Sequence, residues 1–209
     1  MDILAKLFMN ETRVKLMRLF LFNQETFFTL TEIVDRSKSR PAEVKKELSV
    51  LMQIELLKKR AVTRDVQVKK GKKITVKKVH DTGYGLEQNF PYLQALKNLL
   101  ITASLHADAA LVKRLGGAGK IKFFAVSGLF IQEWDARVDM LIVGDDLNLK
   151  KLDIIMKDIE AEVGREIAYS AFQTVDFEYR YGIYDRLVRD IIDMPHVTLV
   201  DKLGIEKVL

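Results

Sequence analysis

Between Leu57 and Val79 the apolar residues fall on alternate positions, Val62, Val66 and Val68 before the run Lys69-Lys70-Gly71-Lys72, and Ile74 and Val76 after it. A period of two is the signature of a strand, since a helix repeats its apolar face every three to four residues. A polar break carrying glycine between two such runs predicts a β-hairpin with a lysine-rich tip. Charge constrains the segment further. From Lys58 to Lys78 there are ten basic residues, Lys58, Lys59, Arg60, Arg64, Lys69, Lys70, Lys72, Lys73, Lys77 and Lys78, against the single acid Asp65. One or two lysines are enough to protect an exposed strand edge. Ten crowded on one ribbon repel one another, and a polyanionic partner relieves that repulsion.

Upstream the period changes. Ile3, Leu4, Leu7 and Phe8, then Val14, Leu16, Met17, Leu19, Phe20 and Leu21, recur at helical spacing, with Asn10-Glu11-Thr12 as an interruption and Asn23 as the stop. Thr29 and Glu32 have the spacing of a capping box, which predicts a short helix through Leu30, Ile33 and Val34. Arg36-Ser37-Lys38 reads as the turn. A further helix starts at Ser39 or Arg40, with Pro41 in the first turn where no intrahelical N–H is needed, and turns Val44, Leu48 and Leu51 inward. Arg40, Glu43 and Lys46 then fall on the outer face.

Two short helices joined by a tight turn, followed by a basic hairpin, resemble the winged helix-turn-helix transcription regulators of the ArsR and MarR type over about Leu7 to Val79. The resemblance implies duplex DNA as partner, with Ser39, Arg40, Lys45 and Lys46 at the recognition helix and Lys69, Lys70, Lys72 and Lys73 tracking the backbone or minor groove. The partition of charge agrees. The first 80 residues hold 19 Lys+Arg against 9 Asp+Glu and the remainder 15 against 20, a change from +10 to −5 that predicts two domains with different partners.

Gly83-Tyr84-Gly85 reads as the end of the basic domain. Phe90-Pro91 opens an apolar helix through Tyr92, Leu93, Leu96, Leu99, Leu100 and Leu105, and His106 to Leu115 reads as another. The glycine run Gly116-Gly117-Ala118-Gly119 lacks the Gly-Lys-Ser/Thr ending of a phosphate loop and follows a helix where that loop follows a strand, so it reads as a plain loop. Three further features exclude other classes. The chain has no cysteine and so no sulfur-based metal site, its three histidines are scattered, and no stretch has the roughly 20 apolar residues of a membrane span. A cytoplasmic protein with neither leader nor span is the expectation.

Beyond the glycine run, strands are expected at Ile121 to Val126, Arg137 to Val143, Glu166 to Phe172 and Val197 to Val200, with helices at Leu149 to Val163 and Asp176 to Ile192. This alternation makes a small α/β domain. Strand, Ser127-Gly128, loop, then Arg137-Val138-Asp139-Met140-Leu141-Ile142-Val143 resembles the minimal nucleotidyltransferase fold of the DNA polymerase beta superfamily over about Lys120 to Leu203. In that family Asp-x-Asp on the second strand holds paired metals, because residues i and i+2 share one strand face about 6.6 Å apart. Here Ser127-Gly128 reverses the family order, Arg137 replaces the first aspartate, and Ile167-Ala168-Tyr169-Ser170 supplies no third carboxylate. Arg137 is expected to pair with Asp139 or Asp135.

The chain therefore reads as α+β: a winged helix-turn-helix over 1–85, a helical connector over 86–119 and a nucleotidyltransferase-like domain over 120–209. Its expected function is that of a homodimeric DNA-binding regulator. Ser127, Gly128, Arg137 and Asp139 line a vestigial cleft without catalytic residues, metal or cofactor, suited to sensing a small-molecule or nucleotide ligand or to assembly. Two alternatives remain open here. One is an active, magnesium-dependent nucleotidyltransferase using Asp139 with Asp145 and Asp146; the other is a protein-interaction module.

Overall fold

The computed structural model describes residues 3–70, 73–102 and 109–205, and of residues 65–70, 73–77 and 102 only the backbone is described. It is a mixed α and β structure with two small sheets. The chain divides into two compact units, the first made of Met1–Ile101 with Ala161–Arg165, the second of Thr102–Glu160 with Glu166–Leu209.

In the first unit α1 (Ile3–Leu7) and α2 (Glu11–Phe22) are separate helices, because the Asn10 side chain accepts from the Arg13 N–H and starts α2 afresh. After β1 (Phe28–Thr29) the predicted capping box is complete: Thr29 accepts from the Glu32 N–H, and the Glu32 carboxylate accepts from the Thr29 N–H at 2.7 Å. The resulting helix, α3 (Leu30–Ser37), ends at Lys38 in the left-handed conformation, φ 48°. Next comes α4 (Pro41–Gln53), with Arg40 at its N-cap and Val44, Leu48 and Leu51 buried. The three helices α2, α3 and α4 contact one another pairwise. Phe20 and Phe28, both buried, close the packing near β1 with ring centroids 6.1 Å apart.

The hairpin runs further than the alternation suggested. Strands β2 (Leu57–Lys70) and β3 (Lys73–Leu86) stay in register from Leu57↔Leu86 to Lys70↔Lys73, and β1 pairs with β3 only at Phe28↔Tyr84 and Thr29↔Gly83. Gly83-Tyr84-Gly85 therefore does not close the basic region as a connector; it lies inside β3. The reason is steric. A Cβ on Gly83 would stand 2.6 Å from the Val62 side chain, and one on Gly85 would stand 2.8 Å from the Phe27 ring. Phe27 in turn lies under the Arg60 guanidinium, 3.7 Å from its ring centroid. After Leu86, α5 (Leu93–Lys97) continues as a π-helical turn over Asn98–Thr102.

The second unit begins with α6 (Ala109–Leu115), after which the glycine run forms a turn. Its sheet contains β4 (Lys120–Val126), β5 (Met140–Asp145), β6 (Tyr169–Gln173) and β7 (Val197–Asp201) in the order β6-β5-β4-β7. Here β5 and β6 are parallel and joined through α7 (Leu149–Val163), while β4 is antiparallel to both of its neighbours. Both faces of the central strands are buried, which accounts for unbroken apolar runs such as Met140-Leu141-Ile142-Val143. One face packs Phe123, Leu141 and Val143 against Phe177, Val188 and Ile191. The helix expected from Asp176 to Ile192 is two helices, α8 (Thr174–Gly182) and α9 (Arg186–Ile192). Asp185 accepts from the N–H groups of Leu187 and Val188, and this cap restarts the helix after Tyr184 at φ 57°.

Gly85→Val should destabilise the first unit by about 1–3 kcal/mol in urea unfolding, the range expected for overpacking. Shrinking Phe27 to leucine in the same chain should recover part of that loss, whereas strictly additive effects would show that ring and glycine are not in contact.

Candidate functional site

The outer surface of α4 is positioned by a buried carboxylate. Glu47 sits one turn from Val44 on the apolar face and is 1% exposed. Its two oxygens accept from Asn10 Nδ2 at 2.8 Å and from Arg13 Nε at 2.7 Å. The same Asn10 caps α2 through its other side-chain atom, so one residue starts α2 and ties it to α4. This link was not foreseen in the sequence, although a glutamate at an apolar position, three residues after Val44, is the signal that carries it.

With the inner face fixed, Arg40, Lys45 and Lys46 are exposed on the N-terminal half of α4. The Arg40 guanidinium lies 3.9 Å from Glu43 and is otherwise open to solvent at 87% exposure. No side chain caps α4, so the fractional positive charge of its first-turn N–H groups adds to these cations. Ser39 is turned inward, accepting from Thr12 Oγ1 at 3.3 Å and donating to the Ser37 carbonyl at 3.3 Å. It shapes the turn and is half-buried. A polar cleft of about 530 Å³ runs here between the starts of α2 and α4, lined by Thr12, Lys15, Lys38, Arg40, Glu43 and Lys46 among others.

Among the described residues, three hairpin cations are engaged inside the first unit. Lys58 pairs with Glu87 at 3.3 Å, Arg60 covers Phe27, and Arg64 pairs with Glu32 while donating to the Phe27 carbonyl at 2.8 Å. Lys58 also helps hold the Glu87 carboxyl below its ordinary range, where the Asn89 N–H contributes most. Lys59 and Lys78 are exposed. Lys69, Lys70 and Lys73 are placed by backbone only, and Lys72 lies outside the described residues.

In the second unit Ser127, Gly128 and Asp139 come together and Arg137 does not join them. Asp139 is 5% exposed, and its carboxylate accepts from the Leu129 N–H at 2.9 Å through one oxygen and from the Ala168 N–H at 2.9 Å through the other. Its carbonyl accepts from Ser127 N–H at 2.9 Å, and the Ser127 hydroxyl donates to the Val138 carbonyl. Gly128 has φ 53°, and a Cβ there would collide with the Asp139 carboxylate, so glycine is required twice over. This cluster ties the end of β4 to the approaches of β5 and β6.

Two expectations are corrected. Arg137 and Asp139 are not strand residues sharing a face, since β5 starts at Met140: the N–H groups of Asp139 and Met140 both donate to the Ala168 carbonyl, which breaks the regular ladder. Arg137 pairs with neither Asp135 nor Asp139 but with Asp190 of α9 at 2.6 Å. With the Arg137 side chain 64% exposed and Asp190 32%, that pair is a surface bridge of small worth. Asp145 and Asp146, the carboxylates that an active site would add to Asp139, are the last residue of β5 and the one after it, roughly 20 Å away along a six-residue strand. Asp145 is instead held below its ordinary range by the Thr174 hydroxyl, which donates to it at 2.6 Å, with Lys122 assisting.

Among the described residues no group of three or more His, Asp or Glu side chains could hold a metal ion. His80 meets Thr63 Oγ1 at 3.0 Å and His196 meets the Met194 carbonyl at 2.8 Å, while His106 lies outside the described residues.

Asp139→Asn should lower the stability of the second unit by about 1–3 kcal/mol, because its amide NH2 would face a backbone donor. Unchanged unfolding would show that the carboxylate does not hold the turn. Thr174→Val should let the Asp145 carboxyl climb back toward its ordinary value, read by NMR titration, so that its ionised form is lost at a higher pH than in the parent chain. Compared with known families and proteins, this chain matches no family model, no curated protein and no solved structure.

Proposed function

We propose that the first unit is a winged helix-turn-helix that binds duplex DNA, and that the chain is a cytoplasmic, homodimeric DNA-binding regulator. The observation that carries this reading is the exposed, uncapped and basic N-terminal half of α4 beside a hairpin that holds ten cations against two acids, Asp65 and Asp81. A recognition helix enters the major groove with its N-terminal residues toward base edges, and Arg40, Lys45 and Lys46 occupy that half of α4. Lysines of the hairpin supply the sequence-independent attraction to phosphate. No helix among the described residues is long and apolar enough to cross a membrane.

The second unit is read as a nucleotidyltransferase-like scaffold without catalysis, a sensor of a small or nucleotide ligand or an assembly module. Asp139 supports this, since both of its carboxylate oxygens already serve backbone donors. Two divalent metals about 4 Å apart need more than one carboxylate free to coordinate them.

Binding to a duplex, followed by fluorescence anisotropy, should weaken as salt rises with a slope of about −0.9 in log K per neutralised phosphate. Reversing Lys69, Lys70, Lys72 and Lys73 to glutamate should remove most of the low-salt affinity; full affinity in that variant defeats the hairpin's role. Arg40→Ala should blur the preferred sequence in a binding-site selection more than it weakens total binding. Incubation with labelled nucleoside triphosphate and magnesium or manganese should transfer no label to DNA, RNA or protein, and transfer by the intact chain would establish an enzyme.

A further inference from the structure

We infer that the far part of the β2–β3 ribbon lies in a major groove of duplex DNA, adjacent to the one that α4 enters, instead of tracking the minor groove; the inference rests on the DNA-binding reading above. Three observations carry it. The first is reach. The third strand of the sheet, β1, pairs with β3 only as far as Gly83, opposite Arg60, yet β2 and β3 remain paired out to Lys70↔Lys73. Ten residues of each strand extend past that pairing, the outer six of β2 also past the Arg64 contacts with Glu32 and Phe27, and the whole extension is about 33 Å at strand rise. Neighbouring major grooves are one helical turn apart, about 34 Å.

The second is thickness. Successive strand positions fall on opposite faces, and stacked sheets lie about 10 Å apart, so a ribbon with side chains on both faces is about 10 Å thick. The minor groove is about 6 Å wide and the major groove about 12 Å, which admits a two-stranded ribbon. The third is the distribution of charge over the register. Positions 70, 73 and 77 belong to one face and positions 69 and 78 to the other, and all five are lysine. A ribbon lying on a single phosphate backbone needs cations on one face alone. Cations on both faces suit a groove, which has a phosphate wall on each side.

The chain has no cysteine, so one introduced as Thr75→Cys on the ribbon can be tagged uniquely with an alkylating group. The intact tagged protein is incubated with mixed-sequence duplex at low salt, and the adducts are identified by mass spectrometry. Guanine N7 faces the major groove and adenine N3 the minor groove. The expected result is a ratio of N7 to N3 adducts several-fold above that of the untethered reagent, and lost when salt releases the protein. A ratio at or below the untethered one, or binding without adducts, overturns the groove assignment while leaving DNA binding intact. No binding of either tagged or untagged protein at low salt overturns both readings together.

Discussion

The placement of α4 depends on one buried carboxylate. Glu47 occupies a position that would ordinarily hold an apolar side chain, and Asn10 and Arg13 satisfy both of its oxygens from the start of α2. Removing one partner of such a group leaves a charge uncompensated in the interior, which is far more costly than the intact arrangement is stabilising. The geometry of α2 against α4 is thereby restricted to one that keeps all three side chains together. With that angle set, Arg40 and Lys46 can only face outward. The same Asn10 separates α1 from α2, so the local break and the long-range tie are one event.

A comparable device organises the second unit, where the acid serves the backbone. Asp139 holds the N–H groups of Leu129 and Ala168, which belong to turns that the chain visits about 40 residues apart. Two peptide donors near a sheet end would be costly to bury unpaired. Their carboxylate partner explains why Gly128 must lack a side chain and why the residues before Met140 leave the strand. A pattern that resembles half of a metal site is thus, in this chain, accounted for by hydrogen bonding between loops. Aspartate suits both tasks because an ionised carboxylate only accepts hydrogen bonds.

The hairpin combines support at its base with reach at its end. Phe27, stacked between Arg60 and the glycines of β3, fixes the base, and Arg64 is held by Glu32 of α3. Beyond these contacts, among the described residues, each strand of the ribbon is hydrogen-bonded to the other. A two-stranded ribbon has little independent stability in water, and its lysines add self-repulsion. Both costs fall when a polyanion surrounds it, which links the unusual length of the strands to the charge they carry.

Local signals were sufficient for much of this architecture. The capping box at Thr29 and Glu32, Pro41 in the first turn of α4, the period-two valines and the apolar run of β5 each specify their element because the physics lies within a few residues. The basic face of α4 was legible for the same reason, since helical spacing fixes which residues share a side. Asn10 was legible as an interruption, whereas the break at Asp185 was missed because the apolar pattern continues through it. Only the tertiary structure decided what Glu47 and Asp139 bind, why Gly83 and Gly85 lie within a strand, and that Arg137 turns to Asp190. Those outcomes depend on groups 10 to 58 residues away, brought close by packing, and no spacing along the chain encodes which of several eligible partners the fold will present.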